Sequence, residues 1–236
     1  MISSMPKWVG DLVKGLMVPK VRVVKISLIS PQLKKIRFQG QIDRMNFQIG
    51  YANVIRVSET EYRNYTVAYY DVKEGIMDFV FHIHGNGIGS RVIDALKIGD
   101  ELFITGPRGR KEYDPAIKRY LIFGDETSLG LACAFLPVLR RNHHLFQFSF
   151  ELDEANSNAP AMLGLENYTV FPKDGSFRNG EWVSRLPVFN QLGWNEARFV
   201  LTGNVRSVQT FRKVVKNKAK GKASHQGYWL EGKKGL

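Results

Sequence analysis

The chain has 236 residues, 44% of them hydrophobic, which is long enough for one large or two small domains and apolar enough for a packed core. Its net charge of +12 indicates an anionic partner, without choosing between nucleic acid, a lipid surface, a phosphorylated cofactor and an acidic substrate. The single cysteine, Cys133, excludes a disulfide within the chain and argues against a cysteine-based metal site.

The first residues lack the basic, apolar and small-residue segments of a secretory signal, and no apolar run approaches the ~20 residues that span a membrane. We therefore expect a soluble, cytoplasmic protein with no membrane span. Apolar residues at helical spacing predict a short amphipathic helix over residues 8–17 that packs on the first domain.

Residues 18–107 have the pattern of short strands, rich in Val, Ile, Phe and Tyr and separated by Gly, Pro, Asp or Asn. Strands are predicted over residues 21–28, 34–39, 53–58, 65–70, 79–84 and 101–105. One helical stretch, residues 90–96, interrupts them. Six short strands with one helix favour a small closed antiparallel barrel.

After residue 109 strands and helices alternate, which predicts a parallel sheet with helices on its faces. The predicted strands are residues 120–123, 145–152, 168–171, 198–202 and 228–230, and the predicted helices are residues 129–139, 182–192 and 205–216. Residues 109–118 have the composition of a loop. We therefore predict an α+β protein of two domains, a six-stranded antiparallel β-barrel over residues 1–112 and an α/β domain with a parallel sheet over residues 113–236.

Two clusters in the first domain have the chemistry to hold a flavin dinucleotide. Arg63, Tyr65 and Thr66 offer a phosphate partner, a flat stacking surface and a hydrogen bond to flavin N5. In a strand Arg63 and Tyr65 share one face and Thr66 lies on the other, so one ligand that contacts all three requires a local kink. An ordinary strand with an exposed arginine is the alternative explanation of this cluster.

The second cluster is Gly87-Ile88-Gly89-Ser90. Its glycines leave backbone N–H groups open to a pyrophosphate, and Ser90 is predicted to open a helix whose N-terminus favours anions. Nearby, His82 and His84 share a strand face that could bind a metal, but no third ligand is evident and we expect no metal site. Hydrogen bonding to a polar ligand is the preferred role for the two histidines.

In the second domain, residues 124–128, Gly-Asp-Glu-Thr-Ser, lie at a strand-to-helix turn where backbone donors and hydroxyls can meet a nucleotide or a nicotinamide amide. The usual dinucleotide fingerprint is missing, which argues against a standard Rossmann dehydrogenase. Gly203, Asn204 and Arg206 follow another strand and could bind a cofactor phosphate, although a helix N-cap at Asn204 explains them equally well.

Other function classes are poorly supported. The sequence has no nucleophile elbow, no P-loop and no paired acids of a glycosidase, so hydrolases and NTPases are poor candidates. Lys216, Lys218, Lys220 and Lys222 concentrate positive charge near the C-terminus, where a solvated helix end is preferred over a dedicated binding patch. Aromatic residues are not interleaved with these lysines, which weakens a nucleic-acid interpretation.

Seven short segments together support a resemblance to a known family through their order and spacing, although no single segment is decisive. They are LKKIRF at residues 33–38, RNYTV at 63–67, DFVFH at 78–82, GD at 99–100, GPRG at 106–109, GDETS at 124–128 and GYW at 227–229. Through these segments the chain resembles, over almost its whole length, the siderophore-interacting proteins, which are flavin-dependent ferric siderophore reductases related to the ferredoxin reductase superfamily.

The resemblance implies a flavin-binding barrel, an NAD(P)H-binding α/β domain, and reduction of a ferric siderophore by NADPH or NADH through FAD, with release of Fe(II). It implies FAD contacts from Arg63 (phosphates), Tyr65 and Thr66 (isoalloxazine), His82, Ile83 and His84 (flavin edge), Gly87, Ile88, Gly89 and Ser90 (pyrophosphate), and Thr127 and Trp229. Asp125, Glu126, Thr127 and Ser128 would lie by the nicotinamide, and no residue acts as a catalytic acid or base because the cofactor carries the reactivity.

An anionic ferric siderophore would explain the net positive charge, because basic residues around the entrance to the flavin site would attract anionic substrates. The candidates for this role are Arg108, Arg110, Lys111, Lys233 and Lys234. We expect a monomer that does not bind nucleic acid. The alternatives are a general flavin or ferric-chelate reductase and a non-catalytic protein that binds chelates or nucleic acid.

Overall fold

The computed structural model of the protein describes residues 20–85 and 87–233. The helix predicted over residues 8–17 and Lys234 lie outside the described residues. Two compact units make up the chain, and the division falls between Lys111 and Glu112. Within the described residues, no helix has the length and apolar character needed to cross a bilayer.

The first unit is a nearly closed sheet of six antiparallel strands, so the predicted barrel is confirmed. Its strands run in the order β3-β4-β5-β2-β1-β6, and a bridge between Ile55 and Ile104 joins the two ends of the sheet. The elements are β1 Lys20–Ser30, β2 Leu33–Gly40, β3 Ala52–Arg56, β4 Tyr62–Asp71, β5 Ile76–His82, helix α1 Ile88–Ala95 and β6 Glu101–Phe103.

Alternate side chains of the barrel strands fill its interior. Ile36, Phe38 and Phe79 are fully buried, and the Phe38 and Phe79 rings meet edge to face at 5.9 Å between centroids. Ile93 of α1 joins the same core. Because this burial fixes the register of each strand, it also fixes which side chains are left on the other face.

Strand β4 changes partners halfway along its length. Residues 62–66 pair with β3, whereas residues 67–71 pair with β5, and the register shifts between Val67 and Tyr69. The shift lies next to Thr66, where the sequence pattern required a kink for one ligand to reach both faces. In the described part of the chain, the first half of β4 therefore runs without a ladder to β5.

The second unit is a five-stranded parallel sheet in the order β11-β10-β7-β8-β9, which confirms the predicted α/β fold. The strand order reverses between β7 and β10, the place where α/β sheets usually hold nucleotides. The elements are β7 Arg119–Gly124, helix α2 Leu129–Arg141, β8 Leu145–Leu152, helix α3 Ala159–Met162, β9 Tyr168–Pro172, helix α4 Gly180–Ser184, β10 Arg198–Asn204, helix α5 Val205–Lys218 and β11 Ala223–Trp229.

Four predicted elements are corrected by the structure. The first helix begins at Ile88 and not at Ser90, and β5 ends at His82 because the chain turns at Gly85, which has a φ of 78°. The helix predicted over residues 182–192 is broken into α4 and a 3-10 turn that starts at Pro187, since proline lacks the backbone N–H that a helix uses and its ring crowds the preceding turn. The last strand begins at Ala223, five residues earlier than predicted, in a segment whose composition is not typical of strands.

Candidate cofactor sites in the two units

Arg63 and Tyr65 of β4 lie against the first turn of α1. A Cβ atom placed on Gly89 would come within 2.9 Å of the Tyr65 hydroxyl oxygen and 3.0 Å of Arg63 Cγ. Arg63 and Tyr65 therefore share one side of the strand, as strand geometry predicts, and glycine is the residue that fits opposite them. The structure thus brings together the two clusters that the sequence analysis singled out in the barrel.

The Tyr65 side chain is a neutral phenol that packs on apolar residues of the barrel. Its ring meets Phe81 edge to face, with centroids 4.7 Å apart, and packs against the barrel core. Burial raises the pKa of Tyr65 to about 12, against an opposing effect of the Arg63 charge. The hydroxyl therefore stays protonated at neutral pH, when it can donate a hydrogen bond.

The Arg63 guanidinium already has protein partners. Nη1 donates to the Tyr62 carbonyl at 2.9 Å, and Nη2 donates to Glu61 Oε1 at 3.1 Å. Both members of the Glu61 pair are partly exposed, so the pair is weak and an incoming phosphate can compete for the guanidinium. Thr66 is half-buried and follows on the same half of β4.

The loop into α1 is closed by Ser90. Its buried side-chain oxygen accepts a hydrogen bond from the Gly85 N–H at 3.1 Å. The residue before α1, Gly87, has no capping side chain, and the first N–H groups of a helix have no partner inside it. This helix start is therefore suited to an anion, although Ser90 itself serves to hold the loop.

The predicted residues at the end of β5 have different surroundings. The rings of His82 and His84 lie 5.7 Å apart, and a Cβ on Gly87 would come within 3.1 Å of His84 Cε1. The His84 side chain is exposed. The N–H of Ile83 donates to the Gln32 carbonyl at 2.7 Å, which fixes the backbone between the two histidines.

In the second unit, Asp125 ties three strand ends together at the carboxyl edge of the sheet. Its fully buried carboxylate accepts from the Thr127 N–H at 2.9 Å, the Asn204 N–H at 2.8 Å and Trp229 Nε1 at 2.6 Å, and also from the Thr127 hydroxyl. Burial raises the pKa of Asp125 above its ordinary value. Gly203 has a φ of 105°, and a Cβ there would lie 2.7 Å from the Asp125 carboxylate, so this site requires glycine.

Glu126 and Lys173 form a buried ion pair beside Asp125. The Lys173 ammonium donates to Glu126 Oε2, and Glu126 Oε1 accepts from the Asp153 N–H at 2.8 Å and from Asn156 Nδ2 at 3.1 Å. Burial alone would raise the pKa of Glu126, but Lys173 and the hydrogen bonds outweigh it and the pKa falls below its usual value. The Lys173 ammonium also lies 5.4 Å from the centroid of the Trp229 ring.

Glu151, near the end of β8, is a third buried acid at this edge, and it forms no ion pair with a lysine among the described residues. Burial raises its pKa to about 7, opposed by the nearby Ser207 hydroxyl and the charge of Lys173 and helped by the charge of Asp125. At neutral pH the carboxyl group is therefore balanced between its neutral and charged forms.

The raised pKa of Glu151 predicts a loss of stability as the pH rises. The folded protein keeps the proton up to about pH 7, whereas the unfolded chain releases it near 4.5, so the contribution to the free energy of unfolding falls between these values by about 3 kcal/mol. In Glu151→Gln this fall should disappear. Urea denaturation of both proteins at pH 5 and pH 8 measures it, with Glu154→Gln, at an exposed position, as control. Parallel pH dependence of the wild type and Glu151→Gln would contradict the assignment.

The other predicted residues of this edge have mainly structural contacts. The Thr202 hydroxyl donates to Ser128 Oγ at 2.8 Å, and a Cβ on Gly124 would overlap Ser128. Asn204 caps α5 by accepting from the Arg206 N–H at 2.9 Å, which confirms the N-cap interpretation without excluding a ligand. The Arg206 side chain is exposed at the start of α5.

The structure therefore gathers all the predicted nucleotide-site residues of the second domain at one sheet edge, together with Trp229. Sequence reasoning noted Thr202 beside Gly203 and Asn204 but missed Lys173 and Glu151. Glu151 lies near the carboxyl end of a strand, and the carboxyl ends of parallel strands meet at one edge, so the signal for Glu151 was present. Lys173 follows a strand whose end was predicted one residue too early.

Four of the five predicted substrate residues lie in the described part of the chain, and all four are exposed. Arg108 is fixed by backbone hydrogen bonds to Ala52 at 2.8 and 2.9 Å, and Arg110, Lys111 and Lys233 are also exposed. Their part in recognising a substrate stays a prediction.

The comparisons with known proteins first define a class. Residues 20–113 match the family model described as the oxidoreductase FAD-binding domain. NADH-cytochrome b5 reductase 1 of Mycosarcoma maydis is 35% identical over 63 residues, which are 27% of this chain and only 19% of that protein. A solved mutant ferredoxin-NADP+ reductase from Plasmodium falciparum has a TM-score of 0.70 at 15% identity, over 90% of this chain and 98% of that one. These findings relate residues 20–113 to oxidoreductase FAD-binding domains and show that the two-unit fold is shared with a ferredoxin-NADP+ reductase structure.

Within this fold, the structural neighbours include a siderophore utilization protein and siderophore-interacting proteins. A siderophore utilization protein from T. fusca has a TM-score of 0.72 at 22% identity, covering 92% of this chain and 94% of that one. The siderophore-interacting protein SipS from Aeromonas hydrophila has a TM-score of 0.70 at 18% identity, covering 91% and 100%. The resemblance found in the sequence is therefore found again among the structural neighbours, and at these identities it establishes a shared fold.

Proposed function

We propose that this protein reduces ferric siderophores with electrons from NADPH or NADH through bound FAD, and so releases Fe(II). The observation that carries the proposal is the fold shared with a siderophore utilization protein over more than nine-tenths of both chains. The match of the barrel to the oxidoreductase FAD-binding domain supplies the flavin part of the proposal.

The barrel residues fit FAD. The start of α1 packs closely on Arg63 and Tyr65 at Gly89, which places the unpaired first N–H groups of the helix beside a cationic and an aromatic side chain. We assign the phosphates to Arg63 and to the backbone of residues 87–90, and the isoalloxazine to Tyr65 and Thr66. Further contacts are proposed for His82, Ile83, His84, Thr127 and Trp229. When bound, FAD accepts a hydride from a reduced nicotinamide and delivers single electrons to Fe(III).

The carboxyl edge of the second sheet is proposed to hold NAD(P)H. Asp125, Glu126 and Ser128 are buried and already hydrogen-bonded, so their proposed part is to fix the backbone of the turn and the position of Trp229. Thr127 is half-buried and Arg206 is exposed, and they are the side chains of this set best placed to meet the ligand, with Gly203 and Asn204 shaping the turn between them. The protein thus contributes binding and orientation, while proton transfer by a side chain is not required.

The positive charge supports an anionic substrate. Arg108, Arg110, Lys111, Lys233 and Lys234 are proposed to steer a catecholate or carboxylate complex of Fe(III) towards the flavin. Because charge steering is screened by salt, the second-order rate constant for an anionic ferric chelate should fall as ionic strength rises.

Three anaerobic measurements test the proposal in sequence. The purified protein should be yellow or bind added FAD, NADPH or NADH should bleach it, and a ferric tris-catecholate or ferric citrate should restore the colour while a ferrous chelator traps Fe(II). A protein that binds neither FAD nor FMN would refute the flavin assignment. A flavoprotein that is bleached but not reoxidised by any ferric chelate would refute the substrate assignment alone.

The second candidate is a general flavin or ferric-chelate reductase, which the matches to other reductases favour. Its signature is a similar kcat/KM for free flavin, ferric citrate and ferric siderophores. A preference of tenfold or more for one class of siderophore supports the first proposal over this one. A protein that binds chelates without oxidising NADPH or NADH would instead be the non-catalytic alternative.

A further inference from the structure

The amino-terminal edge of the parallel sheet in the second unit is opposite the edge proposed for NAD(P)H, and it carries two exposed leucines. Leu192, in the loop before β10, is 100% exposed, and Leu145, the first residue of β8, is 57% exposed. Large apolar side chains with this much solvent contact are costly in water, because their area gains nothing from burial. Neither leucine has a role in the proposed reduction.

The loop that carries Leu192 is held in place on two sides. The Arg119 guanidinium donates to the Gly193 carbonyl at 3.1 Å, and the N–H groups of Lys220 and Gly221 donate to the Asn195 carbonyl at 2.7 and 2.8 Å. Gly193 has a φ of 81° and packs on the Arg119 side chain. Leu192 is therefore presented at the tip of a fixed loop.

Arg119 links the strand position of Leu145 to the loop of Leu192. In the sheet, Arg119 of β7 is directly opposite Leu145 of β8, while its side chain reaches the loop of Leu192. The Leu145 N–H donates to the Lys118 carbonyl at 3.0 Å. The exposed side chains of Leu145 and Leu192 therefore both lie close to Arg119 at this edge.

Basic side chains surround these two leucines. Lys118, Lys220 and Lys222 are exposed, and within the described residues no ion pair is recorded for any of them. Glu196 is the exposed acid of the Leu192 loop, and Glu112 is paired with Arg198 at 3.9 Å. Four basic side chains, Lys118, Arg119, Lys220 and Lys222, thus stand against the exposed acids Asp114 and Glu196, and the described residues of this edge carry a net positive charge.

We propose that this edge, formed by Lys118, Arg119, Leu145, Leu192, Lys220 and Lys222, docks the protein reversibly on an anionic phospholipid surface. An anionic bilayer matches both properties of this edge. Its headgroups are negatively charged and can bind the lysines and Arg119, and its apolar layer can bury the two leucines. A nucleic acid offers the charge alone, and the edge has no exposed aromatic stacking residues beside its lysines. The sequence favoured a solvated helix end for these lysines, and the leucines that the fold places beside them change that interpretation.

Co-sedimentation of the full chain with vesicles tests the proposal. The protein should pellet with phosphatidylcholine vesicles that contain phosphatidylserine, and should do so far less with pure phosphatidylcholine. Leu192→Asn should weaken binding about tenfold, and the triple variant Lys118→Gln, Lys220→Gln, Lys222→Gln should weaken it on the order of 100-fold.

Matched controls separate this edge from the charge of the whole chain. Leu28→Asn removes another exposed leucine, and Lys25→Gln, Lys73→Gln, Lys97→Gln removes three exposed lysines of the barrel, so both should bind as the wild type does. Equal weakening by the two triple variants, or full binding by Leu192→Asn, would overturn the proposal. Tighter binding to a DNA oligonucleotide than to the anionic vesicles would also overturn it. Flavin content and reductase activity in solution should be unchanged in all of these variants, so the outcome is independent of the proposed function.

Discussion

Replacing Asp125 by alanine should lower the free energy of unfolding of the second unit by about 3–5 kcal/mol. The buried carboxylate accepts hydrogen bonds from Thr127, Asn204 and Trp229, and its removal leaves the buried Asn204 N–H and the partly buried donors of Thr127 and Trp229 without this acceptor. The gain from no longer burying a charge offsets only part of this loss. The expected fall in Tm exceeds about 10 °C.

Thermal and urea denaturation measure this effect, with Glu154→Ala at an exposed position as the control. The control should change the free energy of unfolding by less than about 0.5 kcal/mol. Trp229→Phe removes one donor from the network without emptying it, so it should cost less than Asp125→Ala. A change below about 1 kcal/mol in Asp125→Ala would mean that the network contributes little to stability, and the turn would then have no fixed geometry to offer a nucleotide.

The two-unit architecture could be predicted from the sequence because its signals are local. Short apolar segments bounded by turn residues predicted the barrel strands. The change to alternating strands and helices after residue 109 predicted the parallel sheet. Errors occurred where a local signal was weak. The proline at 187 broke a helix that apolar spacing favoured, and the strand at Ala223 begins in a segment of Ala, Ser, His, Gln and Gly whose pairing with β10 overrides its composition.

The candidate sites were predictable in location but not in detail. The sequence indicated that Arg63, Tyr65 and Gly89 belong together, and the fold brings them into contact. It did not reveal that the Asp125 carboxylate is buried and hydrogen-bonded within the protein. The burial of a polar side chain depends on residues that are distant in the sequence and close in the fold. The partners Asn204 and Trp229 are 79 and 104 residues away along the chain.

Replacing Gly89 by valine should reduce retention of FAD at least tenfold, which corresponds to about 1.4 kcal/mol of binding free energy. The new Cβ would lie 2.9 Å from the Tyr65 hydroxyl oxygen and 3.0 Å from Arg63 Cγ, so both proposed cofactor contacts must shift together. The ratio of flavin to protein absorbance after purification, and titration of the stripped protein with FAD, measure the loss.

Gly106→Val is the matched control, because Gly106 lies in the same unit and a Cβ there meets no atom within 4 Å. It should retain FAD as the wild type does. If Gly89→Val fails to fold by circular dichroism, Gly89→Ala gives the same test, since its single methyl group meets the same two atoms. A folded Gly89 variant with wild-type affinity for FAD would show that the cofactor does not depend on Arg63 and Tyr65 in this arrangement. The flavin would then have to be placed elsewhere in the barrel, since the contacts of β4 with α1 would have been altered without affecting its binding.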